Sequence, residues 1–343
     1  MKTEFVRLSE ETAEETFQRA GKILREGGLV AFPTETVYGL GANALDPDAA
    51  AKIYAAKGRP ADNPLIVHVA DPSEAEDLAV TTPVYYALAQ RFMPGPLTVI
   101  LDKKPRIPDS VTGGLNTVAV RCPDHAAARR LIQAAGVPIA APSANLSGSP
   151  SPTTAEHVLA DLSGRVDMIL DGGACAIGVE STVIRLTDEG CTLLRPGEVL
   201  PRELASVVKN VLVDQAVLDP NAAGDRPQSP GMKYRHYAPK TKLILVEGGR
   251  DTFVEFVNSR KDFCGVLAYT EDLNRFTQSK VMDLGAENDP AAQMHNLFRI
   301  LREADGMQVP VIYAPLPPKT DEYLALYNRI IRAAGCEVIK GRS

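Results

Sequence analysis

Residues 29–45 read LVAFPTETVYGLGANAL, and this stretch decides the fold class of the first half of the chain. The apolar run at 29–32 predicts a short buried strand. Residues 33–38, which include two threonines, a glutamate and a tyrosine, follow it directly. Asp46 with Pro47 then predicts the N-cap and first position of a helix. Ligands in open α/β sheets bind at such strand ends. A polar turn that leads into the next helix accounts for the same pattern, so both interpretations stay open here.

Residues 39–44 match the pattern G-x-G-x-x-A of dinucleotide-binding loops, and Asp62 lies near the expected offset for the ribose-binding acid. The context argues against such a site, because the predicted strand ends near Phe32 and the helix begins only after the motif. We therefore interpret the segment as a plain glycine-rich loop. The sequence also contains no Walker A motif, so classical P-loop chemistry is not supported.

Strand and helix patterns alternate outward from this stretch, which is typical of an α/β domain. Helices are predicted at residues 12–26, 46–56, 124–135 and 201–208. Strands are predicted at residues 5–8, 29–32, 65–69, 97–101, 118–121, 137–141, 168–170, 182–186 and 192–194. We therefore predict a first domain over residues 1–210.

Prolines and glycines interrupt the periodicity of residues 211–240, so we predict a linker there. The linker is basic, because Asp225 is the only acidic residue between positions 221 and 242, where five lysines and arginines occur. Beyond it, residues 241–343 predict a second, smaller α/β domain. Its strands are expected at 242–246, 265–268 and 309–313, and its helices at 251–259, 289–304 and 320–334.

Composition excludes several classes of protein. With 343 residues, 45% hydrophobic and 23% charged, the chain can bury the cores of two domains. Its apolar runs are strand-sized, too short for a membrane helix. Five cysteines without a C-x-x-C pair and five histidines without an i, i+4 pair indicate neither a disulfide framework nor a zinc site. Because the first residues are charged and lack the apolar core of a signal peptide, we expect a cytoplasmic protein.

The net charge of −6 opposes nonspecific binding to nucleic acid, and residues 1–200 carry 18 basic against 25 acidic side chains. A nonenzymatic RNA-binding module is still the alternative function. It would use the first domain, where Lys103, Lys104 and Arg106 form a local basic patch. A steep salt dependence of RNA affinity without nucleotide turnover would support this alternative.

Further polar clusters follow predicted strands or helices. Lys57 and Arg59 flank a glycine and can grip one phosphate chain, although a solvated helix end is an equal alternative. Residues 143–151 supply hydroxyls and backbone N–H groups that suit a nucleotide. Arg121 and Arg195 each end a strand, where solvated arginines are common, and His68 lies in an apolar strand, where a core histidine is the simpler interpretation.

The polar residues at the predicted strand ends, taken together, favour one type of chemistry. The sequence contains no acid pair spaced on one helix and no convincing serine-histidine-aspartate order, so hydrolysis is not indicated. Hydroxyls, amides and cations at strand ends suit the positioning and charge stabilisation that phosphoryl and nucleotidyl transfer require.

Together these clusters resemble the YrdC-like threonylcarbamoyl-AMP synthases. The resemblance covers about residues 10–205 and is carried by PTETVYGLG at 33–41, KGR at 57–59, NPL at 63–65, PGPLT at 94–98, PSAN at 142–145 and RPG at 195–197. Residues 229–239 and the C-terminal domain resemble the long, two-domain branch of the family. The resemblance implies a YrdC-like twisted open mixed sheet with flanking helices, joined by the long linker to a smaller Rossmann-like α/β domain.

The resemblance also implies a reaction. L-threonine, bicarbonate or carbon dioxide, and ATP would give L-threonylcarbamoyl-AMP and pyrophosphate. The product would pass to a separate transferase that modifies the tRNA adenosine beside the anticodon, and direct contact with tRNA is left open. Mg²⁺ would bridge the phosphates of ATP, and no protein ligand for it can be named from the sequence.

Site residues follow from the same resemblance. Those implied for L-threonine are Thr36, His68, Arg121, Ala141 and Ser181, and those implied for ATP are Arg59, Asn63, Thr117, Ser143, Ser151 and Arg195. Those implied for catalysis are Lys57, Arg59, Ser143 and Asn145. Arg121 can pair in a bidentate manner with the threonine carboxylate. The cations Lys57, Arg59 and Arg195 can offset the charge that builds on the α-phosphate and the departing pyrophosphate.

The linker carries a further expectation. Tyr234 and His236 would contact ATP while the linker closes over the site as a lid and keeps water from a labile carbamate. A plain spacer is the alternative. A third function, that of a carbamoyltransferase that uses carbamoyl phosphate and shares the YrdC-like domain, would need zinc-finger and acylphosphatase-like segments that this sequence lacks.

Overall fold

The computed structural model describes residues 2–9, 13–222 and 237–341. Contacts divide these residues into two units. The first unit contains residues 2–9, 13–147, 151–176 and 180–222, and the second contains residues 148–150, 177–179 and 237–341. Each unit is built on a β-sheet of its own with flanking helices, which confirms the predicted α/β class.

The first unit contains an eleven-stranded mixed sheet. Its strands are β1 (Glu4–Arg7), β2 (Val30–Phe32), β3 (Gly39–Asn43), β4 (Ile66–His68), β5 (Leu97–Asp102), β6 (Thr117–Arg121), β7 (Ile139–Ala141), β8 (Met168–Asp171), β9 (Thr182–Thr187), β10 (Gly190–Arg195) and β11 (Asn210–Val213). They lie in the order β1-β8-β2-β3-β7-β4-β6-β5-β9-β10-β11. The pairs β2–β3, β3–β7, β4–β7, β5–β6 and β9–β10 are antiparallel, and the other five are parallel.

The described part of the first unit contains eight α-helices. They are α1 (Ala13–Arg25), α2 (Pro47–Lys57), α3 (Pro83–Phe92), α4 (Asp109–Thr112), α5 (Ala126–Ala135), α6 (Ala155–Leu162), α7 (Pro201–Leu204) and α8 (Gln215–Leu218). The predicted start of α2 is confirmed, since the Asp46 carboxylate accepts the N–H groups of Asp48 and Ala49. This helix ends at Gly58, whose φ of 62° is left-handed.

The glycine-rich segment is a strand and not a loop, so that interpretation of the sequence is wrong. Gly39–Asn43 forms β3 and pairs antiparallel with β2. A Cβ at Gly41 would lie 2.8 Å from Cγ2 of Ile139 and 3.0 Å from Cε1 of Phe32, so these two side chains fill the space that a side chain at 41 would need. Because the glycines lie within the sheet, they cannot form the strand-to-helix turn that binds a dinucleotide.

Part of the predicted linker is folded with the first unit. Strand β11 pairs in parallel with β10, and helix α8 follows it with Ala216 and Val217 buried. Residues 223–236 lie outside the described residues. The predicted helix at 201–208 is shorter, since α7 ends at Leu204.

The second unit contains a five-stranded sheet in which every pair is parallel. Its elements are β12 (Lys242–Glu247), α9 (Arg250–Asn258), β13 (Cys264–Tyr269), β14 (Ser279–Gly285), α10 (Pro290–Ala304), β15 (Val311–Pro315), α11 (Leu324–Ala333) and β16 (Val338–Lys340), with strand order β14-β13-β15-β12-β16. The sequence did not predict β14 and β16, because these edge strands are partly exposed and lack an apolar run. Throughout the described part of the chain, no helix combines the length and apolar character needed to cross a membrane.

Gly21 marks a close approach of α1 to α5, since a Cβ there would lie 2.6 Å from the backbone carbon and oxygen of Ala134. We expect Gly21→Ala to lower the free energy of unfolding by about 1–3 kcal/mol, because overpacking against backbone outweighs a gain of roughly 1 kcal/mol in helix propensity. Denaturant titration measures the change. Gly306→Ala is the control, because its added methyl group meets no atom within 4 Å. A Gly21→Ala protein as stable as this control would contradict the prediction.

Candidate active site

The residues predicted to bind threonine come from strand ends in the centre of the large sheet. His68 ends β4 and lies opposite Arg121, which ends the parallel neighbour β6. Ala141 ends β7, the other neighbour of β4. Thr36 lies in the connection between β2 and β3, and Ser181 directly precedes β9. All five residues are buried.

Arg121 is a buried cation, with only 5% of its side chain exposed. Its Nε donates to the carbonyl oxygen of Gly95 at 3.3 Å. Its Nη2 lies 2.7 Å from Oε1 of Glu35, a second buried charge in the connection between β2 and β3. Glu35 was not among the predicted site residues. The sequence feature that could have identified Glu35 was a carboxylate within PTETVYGLG, shortly after a predicted buried strand.

His68 is an uncharged neighbour of this ion pair. Burial, and then the positive charge of Arg121, lower the pKa of His68 to about 3. The ring packs edge-on against Phe32, and Nδ1 lies 3.1 Å from the carbonyl oxygen of Ile66. At neutral pH the imidazole therefore carries no positive charge.

A second group of predicted residues surrounds the end of helix α2. The Lys57 ammonium donates to the carbonyl oxygen of Ser143, and to the carbonyl oxygen and Oδ1 of Asn145 at 2.6 and 3.4 Å. The Ser143 hydroxyl donates to the same Oδ1 at 2.5 Å. Lys57 therefore holds the loop at 143–145, and its positive charge stays beside that loop.

The other residues predicted for ATP lie around this loop or farther along the sheet. The Nη2 atom of Arg59 donates to the carbonyl oxygen of Pro64 at 3.1 Å, and Oδ1 of buried Asn63 has no hydrogen-bond partner within the described ranges. Thr117 begins β6, whereas Arg121 ends it, so the length of the strand, roughly 13 Å, separates the two residues. Tyr234 and His236 lie outside the described residues.

Arg195 connects the two predicted binding regions. Its Nε donates to the carbonyl oxygen of Ser181, and its Nη2 donates to the Ser181 hydroxyl, each at 3.0 Å. The same hydroxyl lies 2.8 Å from Oγ1 of Thr98 on β5. A residue predicted for ATP and one predicted for threonine therefore touch. Thr98, which lies in the PGPLT motif at 94–98, completes this chain of contacts.

Ser151 and Glu180 form a further buried polar pair, in which the serine hydroxyl donates to Oε1 of the glutamate. Ser151 is a predicted ATP residue, and Glu180 adds a carboxylate next to it. No group of three or more histidines, cysteines, aspartates or glutamates suited to a metal occurs among the residues that the structure describes. A divalent ion here would need ligands from a bound substrate.

The patch proposed for RNA binding is partly neutralised by acids. Lys103 pairs with Asp109, Arg106 lies 3.3 Å from Asp77, and Lys104 donates to the carbonyl oxygen of Glu76. Two of the three cations therefore have a carboxylate partner, which reduces the net positive charge that nonspecific RNA binding requires.

Comparisons with known proteins find relatives that match almost the whole chain. Residues 22–197 match a family model described as telomere recombination, Sua5/YciO/YrdC, and residues 199–335 match one described as threonylcarbamoyl-AMP synthase, C-terminal domain. The Bacillus subtilis threonylcarbamoyl-AMP synthase is 46% identical over 99% of this chain and 100% of its own. The Pyrococcus abyssi enzyme of that name is 45% identical over 98% and 99%.

Two solved structures are also similar to this chain over almost its whole length. Pyrococcus abyssi Sua5 complexed with L-threonine matches with a TM-score of 0.89 and 44% identity over 100% of both chains. A doubly substituted form of P. abyssi Sua5 matches with a TM-score of 0.91 and 43% identity over 98% of both chains.

The low pKa of His68 predicts a pH-dependent loss of stability. Because the unfolded imidazole takes up a proton near pH 6.5 and the folded one does not, stability falls as pH decreases from 6.5 toward 3. Relative to His68→Asn, the wild-type protein should lose about 2 kcal/mol of unfolding free energy between pH 7.5 and pH 5. Urea titrations of both proteins across this range measure the difference, and a constant difference would contradict a neutral buried His68.

Proposed function

The chain belongs to the family of threonylcarbamoyl-AMP synthases, and we propose that it forms L-threonylcarbamoyl-AMP and pyrophosphate from L-threonine, bicarbonate or carbon dioxide, and ATP at the strand-end site of its first unit. The product then serves a separate transferase that modifies the tRNA adenosine beside the anticodon. The observation that carries the proposal is the contact between Ser181 and Arg195, because it joins an amino-acid region to a phosphate region.

In this proposal, Arg121 binds the carboxylate of L-threonine. Its burial supports the assignment, since charge-assisted hydrogen bonds are strongest away from water. The Thr36 and Ser181 hydroxyls, neutral His68 and the backbone at Ala141 then surround the remaining polar groups of the substrate. The threonine complex of P. abyssi Sua5 supports L-threonine as the substrate.

ATP takes the side of the site that contains Arg59, Asn63, Thr117, Ser143, Ser151 and Arg195. The threonine ammonium loses a proton, and the resulting amine adds to carbon dioxide with loss of a second proton, which gives the carbamate N-carboxythreonine. A carbamate oxygen then attacks the α-phosphorus, the new O–P bond forms, and the bond from that phosphorus to the oxygen shared with the β-phosphate breaks, so that pyrophosphate leaves. Arg59 and Arg195 offset the charge on the phosphorus centre and on the departing pyrophosphate. Lys57 and Asn145 act by holding the Ser143 loop in place.

Mg²⁺ belongs to this proposal as the partner of ATP. Mg²⁺ usually takes one or two carboxylates together with substrate phosphates and water, and the pair of Glu180 and Ser151 fits that need. Bound there, the ion would neutralise phosphate charge.

The proposal includes a cytoplasmic location, because both ATP and tRNA are available there. The five cysteines, all of them described residues, form no disulfide, which suits a reducing compartment. Contacts of Tyr234 and His236 with ATP stay predictions, as does the choice between a lid and a spacer, since both residues lie outside the described ranges.

Pyrophosphate release tests the reaction directly. We expect the purified chain to release pyrophosphate from ATP only when L-threonine and bicarbonate are both present, and to form a nucleotide with the mass of threonylcarbamoyl-AMP. Arg121→Ala should raise the KM for threonine by roughly 10- to 100-fold, because the charge-assisted pair with the carboxylate is lost. ATP that stays intact under every combination, together with salt-dependent RNA binding, would favour the RNA-binding alternative.

Lys57 provides a test of the ATP side. Lys57→Met should lower kcat/KM for ATP by roughly 10- to 100-fold, because the loop at 143–145 loses its charged donor. Lys52→Met is the matched control. Lys52 lies on the same helix and also donates to a backbone carbonyl, that of Gly27 at 2.6 Å, but it is not part of the site. If kcat/KM for ATP falls to a similar extent in both variants, then substitutions in α2 lower activity only because they destabilise the protein.

A further inference from the structure

Glu35 is a buried carboxylate that lacks hydrogen-bond donors. The residue is 8% exposed, and neither carboxylate oxygen has a hydrogen-bond partner among the residues that the structure describes. Oε1 lies 2.7 Å from Nη2 of Arg121, but this ion pair is not aligned as a hydrogen bond, since Nη2 also has no hydrogen-bond partner. A buried charge in this state is costly unless a ligand completes its hydrogen bonds.

The surrounding side chains do not supply the missing donors. The neighbouring Thr34 hydroxyl donates to the carbonyl oxygen of Val37 at 2.6 Å and lies 2.8 Å from the Thr36 hydroxyl. Burial raises the pKa of the Cys175 thiol to about 12, so this nearby group stays neutral and is a weak donor. Burial lowers the pKa of His125, the nearby imidazole, although the negative charge of Glu35 opposes this shift. Arg121 is therefore the cation in contact with Glu35.

The two buried charges define the chemistry of a fitting ligand. Arg121 needs an anion that can accept from its guanidinium, and Glu35 needs a cation with several N–H donors. An α-amino acid carries both groups on neighbouring atoms, a carboxylate and an ammonium with three N–H donors. Such a zwitterion replaces one misaligned ion pair with two hydrogen-bonded ones.

We propose that Glu35 binds the α-ammonium group of the amino-acid substrate while Arg121 binds its carboxylate, so that Glu35 selects amino acids over hydroxy acids that lack the nitrogen. This inference rests on the proposed function, since it concerns the same threonine site. Glu35 is then a substrate-binding residue, in addition to Thr36 and His68. A purely positioning role, in which Glu35 only orients Arg121, is the competing explanation.

Three ligands separate these explanations. L-Threonine carries both charges, (R)-3-hydroxybutyrate keeps the carboxylate and hydroxyl but lacks the ammonium, and L-threonine methyl ester keeps the ammonium but lacks the carboxylate charge. Calorimetric titration of each ligand into wild type and Glu35→Gln gives the dissociation constants. Glu198→Gln is the control, because it removes an exposed carboxylate that interacts electrostatically with Glu35.

We expect Glu35→Gln to weaken L-threonine and its methyl ester by roughly tenfold or more, because each loses a charged acceptor for its ammonium. Affinity for (R)-3-hydroxybutyrate should stay unchanged or increase, since Glu35 no longer competes for Arg121. Glu198→Gln should change each value by less than about twofold. A methyl ester that binds Glu35→Gln as tightly as wild type would overturn the proposal, as would equal losses for threonine and the hydroxy acid.

Folding and the proposed function are checked in the same experiment. Thermal unfolding of each variant reports on the fold, and Glu35→Asp, which keeps the charge on a shorter side chain, replaces Glu35→Gln if the latter does not fold. Its shorter reach should weaken the methyl ester but not the hydroxy acid. A wild-type chain that binds no L-threonine would contradict the proposed function itself. Threonine binding that Glu35 substitutions leave unchanged would contradict only the role of Glu35.

Discussion

The close packing at Gly41 is the constraint on which the site depends. The absence of a side chain there lets β3 lie between the Phe32 ring on β2 and Ile139 on β7. The antiparallel pairing then continues past the strand, with a bridge between Gly39 and Ser143 and a hydrogen bond from the Ala144 N–H to the Tyr38 carbonyl. The connection before β3 and the loop after β7, which contribute to the two predicted binding regions, are thus fixed to each other by backbone hydrogen bonds.

Buried charges then determine what each loop can do. Lys57 is surrounded by carbonyl oxygens, so its charge stabilises a loop conformation as well as an anion placed beside it. Arg121 faces one carbonyl and the carboxylate of Glu35, and the weak alignment of that pair leaves it open to exchange with a ligand. Since unsatisfied buried charge is costly, Lys57 has its carbonyl partners within the fold, whereas Arg121 is the cation that we propose for the ligand.

Sequence patterns predicted the helices and strands that depend on residues close to them in the chain. Asp46 and Pro47 sufficed for the start of α2, and the apolar runs predicted β4, β5 and β6, because capping and burial leave a signal within a few residues. Strand β3 was missed because its glycines have low strand propensity. The side chain that leaves no room for a Cβ at Gly41 is that of Ile139, which lies about a hundred residues further along the chain. The edge strands β14 and β16 were missed because exposure removes the apolar signal.

The site was predicted by motif, but its electrostatics were not. Sequence spacing cannot show that Glu35 reaches Arg121 or that His68 is neutral, because both facts depend on how strands from distant segments pair. The neutrality of His68 matters for specificity. With an uncharged imidazole, the charges of Arg121 and Glu35 cancel, and the pocket matches a zwitterion of no net charge. A protonated His68 would add a positive charge and favour simple anions over amino acids, so burial of this imidazole supports the proposed binding of threonine.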